Sequence, residues 1–337
     1  MKIPAEHRIK STGKTQPPVA VVIPCYKVRS QILDVIKGIG PEVKKIYIID
    51  DCCPDATGDH VKKNCRDHRV TVLKHSSNQG VGGAVITGYR AAIKDNIEII
   101  VKIDGDGQMD PDLLYNFVRP IAAGEADYTK GNRFFDLEKV RTMPGVRLFG
   151  NAVLSLLTKL SSGYWDIFDP TNGYTAIHRD TAGRLPFDKI SRRYFFETDM
   201  LFRLNTLRAV VLDIPMEAVY GNETSNLIVS KILGEFLLKH IRNFLKRIFY
   251  NYYLRDMSLA SFELPFGIFL FLFGCFFGSY HWIRSIKSGI AAPGGTVMLA
   301  AMPVILGIQF ILAFLGHDIA SVPRRLYKTY YRPTDAR

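Results

Sequence analysis

The chain has 337 residues and a formal net charge of +12, and 23% of its residues are charged. The length admits one large domain with attachments or two ordinary ones. The basic surplus raises nucleic acid as a partner, but the cations crowd around a late apolar region and no nucleic-acid-binding motif is present. Anionic lipid headgroups, worth ~1 kcal/mol of attraction per Lys or Arg, explain the surplus better.

Residues 1–18 are basic and polar without an apolar core segment, so they read as a disordered lead-in and not as a signal peptide. From there, β-branched runs alternate with helix-like stretches: Val19 to Ile23, Lys45 to Ile49, Val70 to Leu73 and Glu98 to Ile103. That alternation predicts a doubly wound α/β domain over 19–224 with a mostly parallel sheet. The runs are continuously apolar, as in strands covered on both faces. Ligands of such sheets sit beyond the carboxyl ends of the strands.

Polar clusters stand at those ends. Pro24-Cys25-Tyr26 follows the first run, Asp50-Asp51-Cys52-Cys53 the second, and Asn78-Gln79-Gly80-Val81-Gly82-Gly83-Ala84 opens the helix after the third. The last is not a Rossmann fingerprint, since Val85 falls where the third Gly would be. Asp104-Gly105-Asp106-Gly107-Gln108 comes directly off the fourth run. Paired carboxylates at a sheet edge can hold Mg²⁺ or Mn²⁺ together with phosphate oxygens. An Asp-Gly turn is the competing reading; an EF-hand fits poorly because Met109 occupies the loop position that requires Gly. Five cysteines (25, 52, 53, 65 and 275) show no C-x-x-C and read as reduced apolar fillers.

Residues 225–258 carry Ile232, Phe236, Ile241, Phe244, Leu245, Ile248 and Tyr252 at helical spacing among Lys239, Arg242, Lys246 and Arg247. This suits either amphipathic helices in the headgroup plane or a domain-packing helix, with Ser225-Asn226 as a cap. Over 259–317, Leu264 to Ile283 and Ala291 to Leu315 are each long and apolar enough to span a bilayer as a two-helix hairpin. Arg242, Lys246, Arg247 and Arg255 precede it, and Arg324, Arg325, Lys328 and Arg332 follow in a basic tail, 318–337. The connecting loop holds only Arg284 and Lys287, so both termini are expected on the cytoplasmic side. Gly274-x-x-x-Gly278 suggests a helix contact, with a homo-oligomer as one use.

Together the clusters resemble the family 2 glycosyltransferases of the GT-A fold, over about residues 19 to 230. Val-Val-Ile-Pro24-Cys-Tyr26 is similar to the opening strand, Asp50-Asp51 to the nucleotide-binding acidic pair, Asn78 to Ala84 to the Gly-rich helix start, and Asp104-Gly-Asp106-Gly-Gln108-Met-Asp110-Pro111 to the metal motif. Gly131-Asn132-Arg133-Phe134 and Arg147 to Asn151 resemble the polyprenyl-phosphate branch. The resemblance implies that Pro24, Tyr26, Asp50, Asp51, Asn78, Gly82 and Asp104 bind a UDP- or GDP-linked sugar. It implies that Asp104, Asp106 and Gln108 hold the metal, and that Arg133, Arg147 and Asn151 hold the acceptor phosphate, Asp104, Asp106, Arg133 and Arg147 being catalytic. Arginine suits that task because its fork of donors matches phosphate oxygens.

The sequence departs from the family in placing Lys27 and Val28 after Tyr26, where an acidic residue is usual. Asp169-Pro-Thr-Asn-Gly173-Tyr174 and Phe196-Glu197-Thr-Asp199 resemble further family segments without a clear assignment. The expected reaction is inverting sugar transfer to a polyprenyl phosphate at the cytoplasmic face. A processive polysaccharide synthase and a catalytically silent nucleotide-binding scaffold are the alternatives; neither Trp165 nor Trp282 lies in the Q-x-x-R-W motif of the former.

Overall fold

The computed structural model describes residues 17–135, 145–217 and 229–326, with side chains throughout these except at 146, 147 and 229–233. Strands β1 (Val19–Cys25), β2 (Val43–Asp50), β3 (Val70–Lys74) and β4 (Ile99–Lys102) fall on the four predicted runs, separated by helices α1 (Ile32–Gly38), α2 (Thr57–Asn64) and α3 (Val81–Lys94). Then come α4 (Leu114–Ala122), β5 (Tyr128–Asn132), α5 (Gly145–Ser162), β6 (Thr175–His178), α6 (Arg179–Arg184), α7 (Phe196–Thr206) and β7 (Val211–Pro215).

The sheet order is β3-β2-β1-β4-β6-β5-β7. Strands β3, β2, β1 and β4 are mutually parallel, β6 runs antiparallel to β4 and β5, and β5 is parallel to β7. Alternate residues feed two cores. Val21, Ile23, Ile46 and Val101 pack under α1 and α4, while Ala20, Val22, Tyr47 and Ile100 pack under α3 and α7. Coverage on both faces is why the strands lack polar alternation.

Helix α8 (Val229–Phe249) runs on into a π-helical turn, Tyr250–Arg255, and packs against α5 and α7. It leaves Leu237, Leu238, Ile241, Leu245 and Phe249 exposed, and α5 exposes Leu148, Phe149, Val153 and Leu156. The cap expected at Ser225-Asn226 lies outside the described residues, as do Lys328, Arg332 and most of the lead-in.

Helices α9 (Ala260–Ser288) and α10 (Gly294–Ala320) pair along their length. At 29 and 27 residues they reach about 44 and 40 Å, enough to cross a ~30 Å hydrocarbon layer. Only 22% and 11% of their most apolar windows are buried.

A seam of glycines sets their approach. A Cβ on Gly274 would lie 2.8 Å from the Ala300 carbonyl oxygen, and one on Gly307 2.6 Å from the Phe271 nitrogen. The Gly274/Gly278 face considered for self-association is therefore taken up by α10 of the same chain. Two further expectations change. Residues 318–320 belong to α10, and Val322 and Leu326 pack onto the α/β domain at the second core and at Gly124, so this part of the tail is docked. Arg247 is not a headgroup-facing flank charge: it is 1% exposed, because Asp318 on α10 accepts from its Nη1 at 2.6 Å and its Nη2 at 3.0 Å.

Candidate functional site

Strands β1, β2 and β4 deliver their carboxyl ends to one edge of the sheet, with Cys25 opposite Asp50 in register. Tyr26 stands half exposed there and Pro24 is half buried. Asp50 is fully buried, and its oxygens accept from the Cys53 and Gly58 amides at 2.7 Å each, so it staples the β2–α2 loop. Asp51 accepts from His75 Nδ1 at 2.7 Å and from the Gln79 and Gly80 amides at 2.8 Å. Its own carbonyl accepts from Asn78 Nδ2 at 3.3 Å. The acidic pair and Asn78 thus fix the loops at the carboxyl ends of β2 and β3.

Gly82 stands apart from the expected nucleotide contacts: it is buried, and an added Cβ would lie 2.6 Å from the Phe196 ring and 2.7 Å from the Ser191 carbonyl. Packing of α3 requires this glycine. Val28, in the place where an acidic residue was expected, packs against the core 3.0 Å from where a Gly105 Cβ would stand.

Asp104 and Asp106 are half buried at the end of β4. Lys102, 2% exposed in the strand itself, puts its Nζ 2.8 Å from Asp104 Oδ1 and 3.6 Å from Glu197 Oε1. Burial alone would favour the neutral amine, but Asp104 and then Glu197 outweigh it and raise the Lys102 pKa. Gly173 keeps the other Asp104 oxygen uncovered, since a Cβ there would lie 2.7 Å from Oδ2. Asp106 Oδ1 accepts from the Gln108 amide at 3.0 Å, and Gln108 is half buried beside it.

Among the described residues no three His, Cys, Asp or Glu side chains form a metal cluster. Two carboxylates with hard oxygens, one held open by a glycine, fit a cation that draws its remaining ligands from water and phosphate, as Mg²⁺ does.

Beyond β5, Arg133 is one-third exposed and bonded in a fork to the fully buried Asp169, with Nε to Oδ2 at 2.7 Å and Nη2 to Oδ1 at 3.1 Å. Thr171 Oγ1 accepts from the same Nη2 at 3.3 Å. Asp169 therefore fixes the orientation of the guanidinium. Asn151 lies half buried on α5, and Arg147 is in the first turns of that helix with its side chain outside the described residues.

A buried polar floor went unread in the sequence. Lys130 is fully buried, donates to the Asn172 carbonyl, and is pushed down to about 8 by burial against the pull of Glu197 and Asp169. Asp213 accepts from Asn132 Nδ2 and the Phe168 amide, and burial pushes its carboxyl up to about 6. The available signal was Lys102 inside the fourth run, where both faces should be apolar; Lys130 lies in a strand that shows no such run. Asp199, by contrast, is structural: it accepts from the Ser191 amide and from Asn243 Nδ2 of α8.

Residues 20–185 match the family described as glycosyl transferase family 2. The chain is 28% identical to an undecaprenyl-phosphate mannosyltransferase of Micrococcus luteus over 222 residues, 64% of this chain and 90% of that one. It is 27% identical to a UDP-N-acetylglucosamine–dolichyl-phosphate N-acetylglucosaminyltransferase of Methanococcus voltae, over 60% of this chain and 86% of the relative. Among solved structures, glucosyl-3-phosphoglycerate synthase of Mycobacterium tuberculosis superposes with a TM-score of 0.50 at 19% identity, covering 68% of this chain and 80% of that chain. That likeness is one of fold.

Proposed function

Through residues 20–185 the chain belongs to glycosyl transferase family 2, and from that premise we propose that it transfers a sugar, with inversion, from a nucleotide diphosphate sugar to a polyprenyl phosphate at the cytoplasmic membrane surface. The observation that carries the reading is the pairing of two sites on one sheet edge: the half-open carboxylates Asp104 and Asp106, and the Asp169-aimed guanidinium of Arg133. Both named relatives act on polyprenyl-type phosphates. The exposed apolar faces of α5 and α8, beside two helices long enough to span, supply a place where a lipid's phosphate head meets a water-soluble donor.

In this reading Tyr26 lies against the donor's nucleoside, and Asp50, Asp51 and Asn78 hold the loops that shape its pocket. Asp104, Asp106 and Gln108 hold Mg²⁺ or Mn²⁺, which when bound offsets the charge of the departing diphosphate. Lys102 fixes the position of the Asp104 carboxylate through the 2.8 Å contact beneath it. Arg133, with Arg147 and Asn151 on α5, orients the acceptor phosphate for in-line attack on the anomeric carbon. A phosphate monoester with a second pKa near ~6 is already a dianion at neutral pH, so no strong base is needed. Catalysis is then mostly positioning and fixed charge.

The test is release of free nucleoside diphosphate by the membrane-embedded protein across a panel of UDP- and GDP-sugars, with and without polyprenyl phosphate. Release that requires the lipid, and that falls about 100-fold or more in Asp106→Asn, supports the reading. Donor hydrolysis indifferent to the lipid, or full activity in Asp106→Asn with saturating Mn²⁺, overturns it.

A further inference from the structure

At the end of α10 the chain turns out of the apolar layer through Ser321 and a buried Pro323 into Arg324 and Arg325. Opposite lies Arg208, in the turn between α7 and β7, with a left-handed φ of 59°. These residues line a half-open pocket of about 310 Å³, and a second of about 320 Å³ shares Arg208, Ser321 and Pro323 and reaches His317 and Tyr252. Both fall within the ~300–1,000 Å³ span of ligand pockets.

The charge around them is unbalanced. Arg208 has Asp256 at 3.9 Å, but Arg255 claims the same carboxylate oxygen at 3.4 Å. Arg324 acts on Asp166 only through its field. Across the two linings Arg208, Arg324 and Arg325 thus stand against one carboxylate, Asp256, which Arg255 shares from outside. The depth of the cavity follows from the helix: 27 residues give α10 about 40 Å, roughly 10 Å more than a hydrocarbon core, and the polar His317 and Asp318 in its last turn put the excess, and so Ala320, in the headgroup layer.

We propose that this arginine pocket is a binding site for the phosphodiester headgroup of an anionic membrane lipid, separate from the sugar-transfer cleft. Arginine forks match phosphate oxygens in two-point contacts, and a basic pocket at a helix end on the membrane surface suits such a headgroup. Seated there, the lipid would bridge the docked tail to the turn before β7. The proposal rests on α9 and α10 spanning a bilayer, and on nothing about the sugar.

The experiment is native mass spectrometry of the full chain released from detergent, titrated separately with phosphatidylglycerol, phosphatidylcholine and soluble glycerol 3-phosphate. Phosphatidylglycerol is expected to bind at least tenfold tighter than phosphatidylcholine, with Arg208→Gln and the double variant Arg324→Gln/Arg325→Gln each erasing about tenfold of that affinity. Equal binding of the two lipids, or selectivity unmoved by these variants, overturns the proposal. Arginine-dependent binding of glycerol 3-phosphate as tight as that of the lipid overturns the lipid as its source. Carbonate extraction of the same membranes keeps the outcomes apart: a chain that washes off refutes the span reading, whereas one that stays and shows no selectivity refutes only the pocket.

Discussion

Replacing Asp318 by Asn should cost about 3–5 kcal/mol of stability, the range for breaking a buried ion pair from one side. The structure shows why an isosteric change is severe. Oδ1 accepts from Arg247 Nη1 at 2.6 Å and from the Tyr252 hydroxyl at 2.6 Å, while Oδ2 accepts from Arg247 Nη2 at 3.0 Å and Trp165 Nε1 at 2.8 Å. Whichever oxygen becomes an amide NH₂, two donors lose their acceptor and face a third. A hydrogen bond to a charged group is worth ~1.5–3 kcal/mol, and Arg247, 1% exposed, cannot turn to water for replacement.

Trp165 reports the event directly, so the assay is denaturant unfolding in micelles followed by its fluorescence in a Trp282→Phe background. The double variant Arg247→Met/Asp318→Leu should recover part of the loss, because an apolar pair leaves no stranded charge, although Trp165 Nε1 and the Tyr252 hydroxyl still lose their acceptor. A cost below about 1 kcal/mol for Asp318→Asn, or a double variant no better than the single, would refute the assignment of this node as the joint between hairpin and sheet domain.

Two other outcomes are expected. His240 of α8, bonded to Ser161 of α5 at 2.9 Å, is held at about 4 by burial. The folded value is lower than the unfolded one of ~6.5, so this contribution is complete above 6.5 and drains as pH falls toward 4, by roughly 3 kcal/mol. Limited proteolysis between α5 and α8 should rise over that window and lose its pH dependence in His240→Phe. Gly82→Ala should destabilise by ~1–3 kcal/mol through overlap with Phe196 and Ser191. Gly183→Ala, with open space around its Cα, should cost nothing measurable in the same thermal melt.

Strands β1 to β4 and both apolar helices were legible because their signal is local: a run of apolar residues buried on two faces, or one longer than a bilayer is thick. Strands β5 to β7 gave no such run. Tyr128–Asn132 is broken by Lys130 and Gly131, and the antiparallel insertion of β6 is a property of the whole sheet, invisible in four residues. The site divides in the same way. Asp104 and Asp106 announce themselves by spacing, whereas Asp169 acquires a role only through Arg133, 36 residues away. Arg247 looked like a flank charge because its partner lies 71 residues on. Gly82 enters the expected donor contacts only through the resemblance, because sequence shows that a side chain is missing and not what fills the space.

Helix α5 has the build of a lever. Its 18 residues form a rod of about 27 Å, clamped at the far end where Arg247 Nη2 bonds the Leu160 carbonyl at 2.8 Å and, through Asp318, grips α10. A tilt of α10 by about 10°, well inside the range spanning helices adopt to match a thinner bilayer, would, if carried to the rod through this clamp, swing its Gly145 end by roughly 5 Å. Turnover should accordingly track acyl-chain length in reconstituted vesicles, with membrane thickness acting as a mechanical setting on the enzyme.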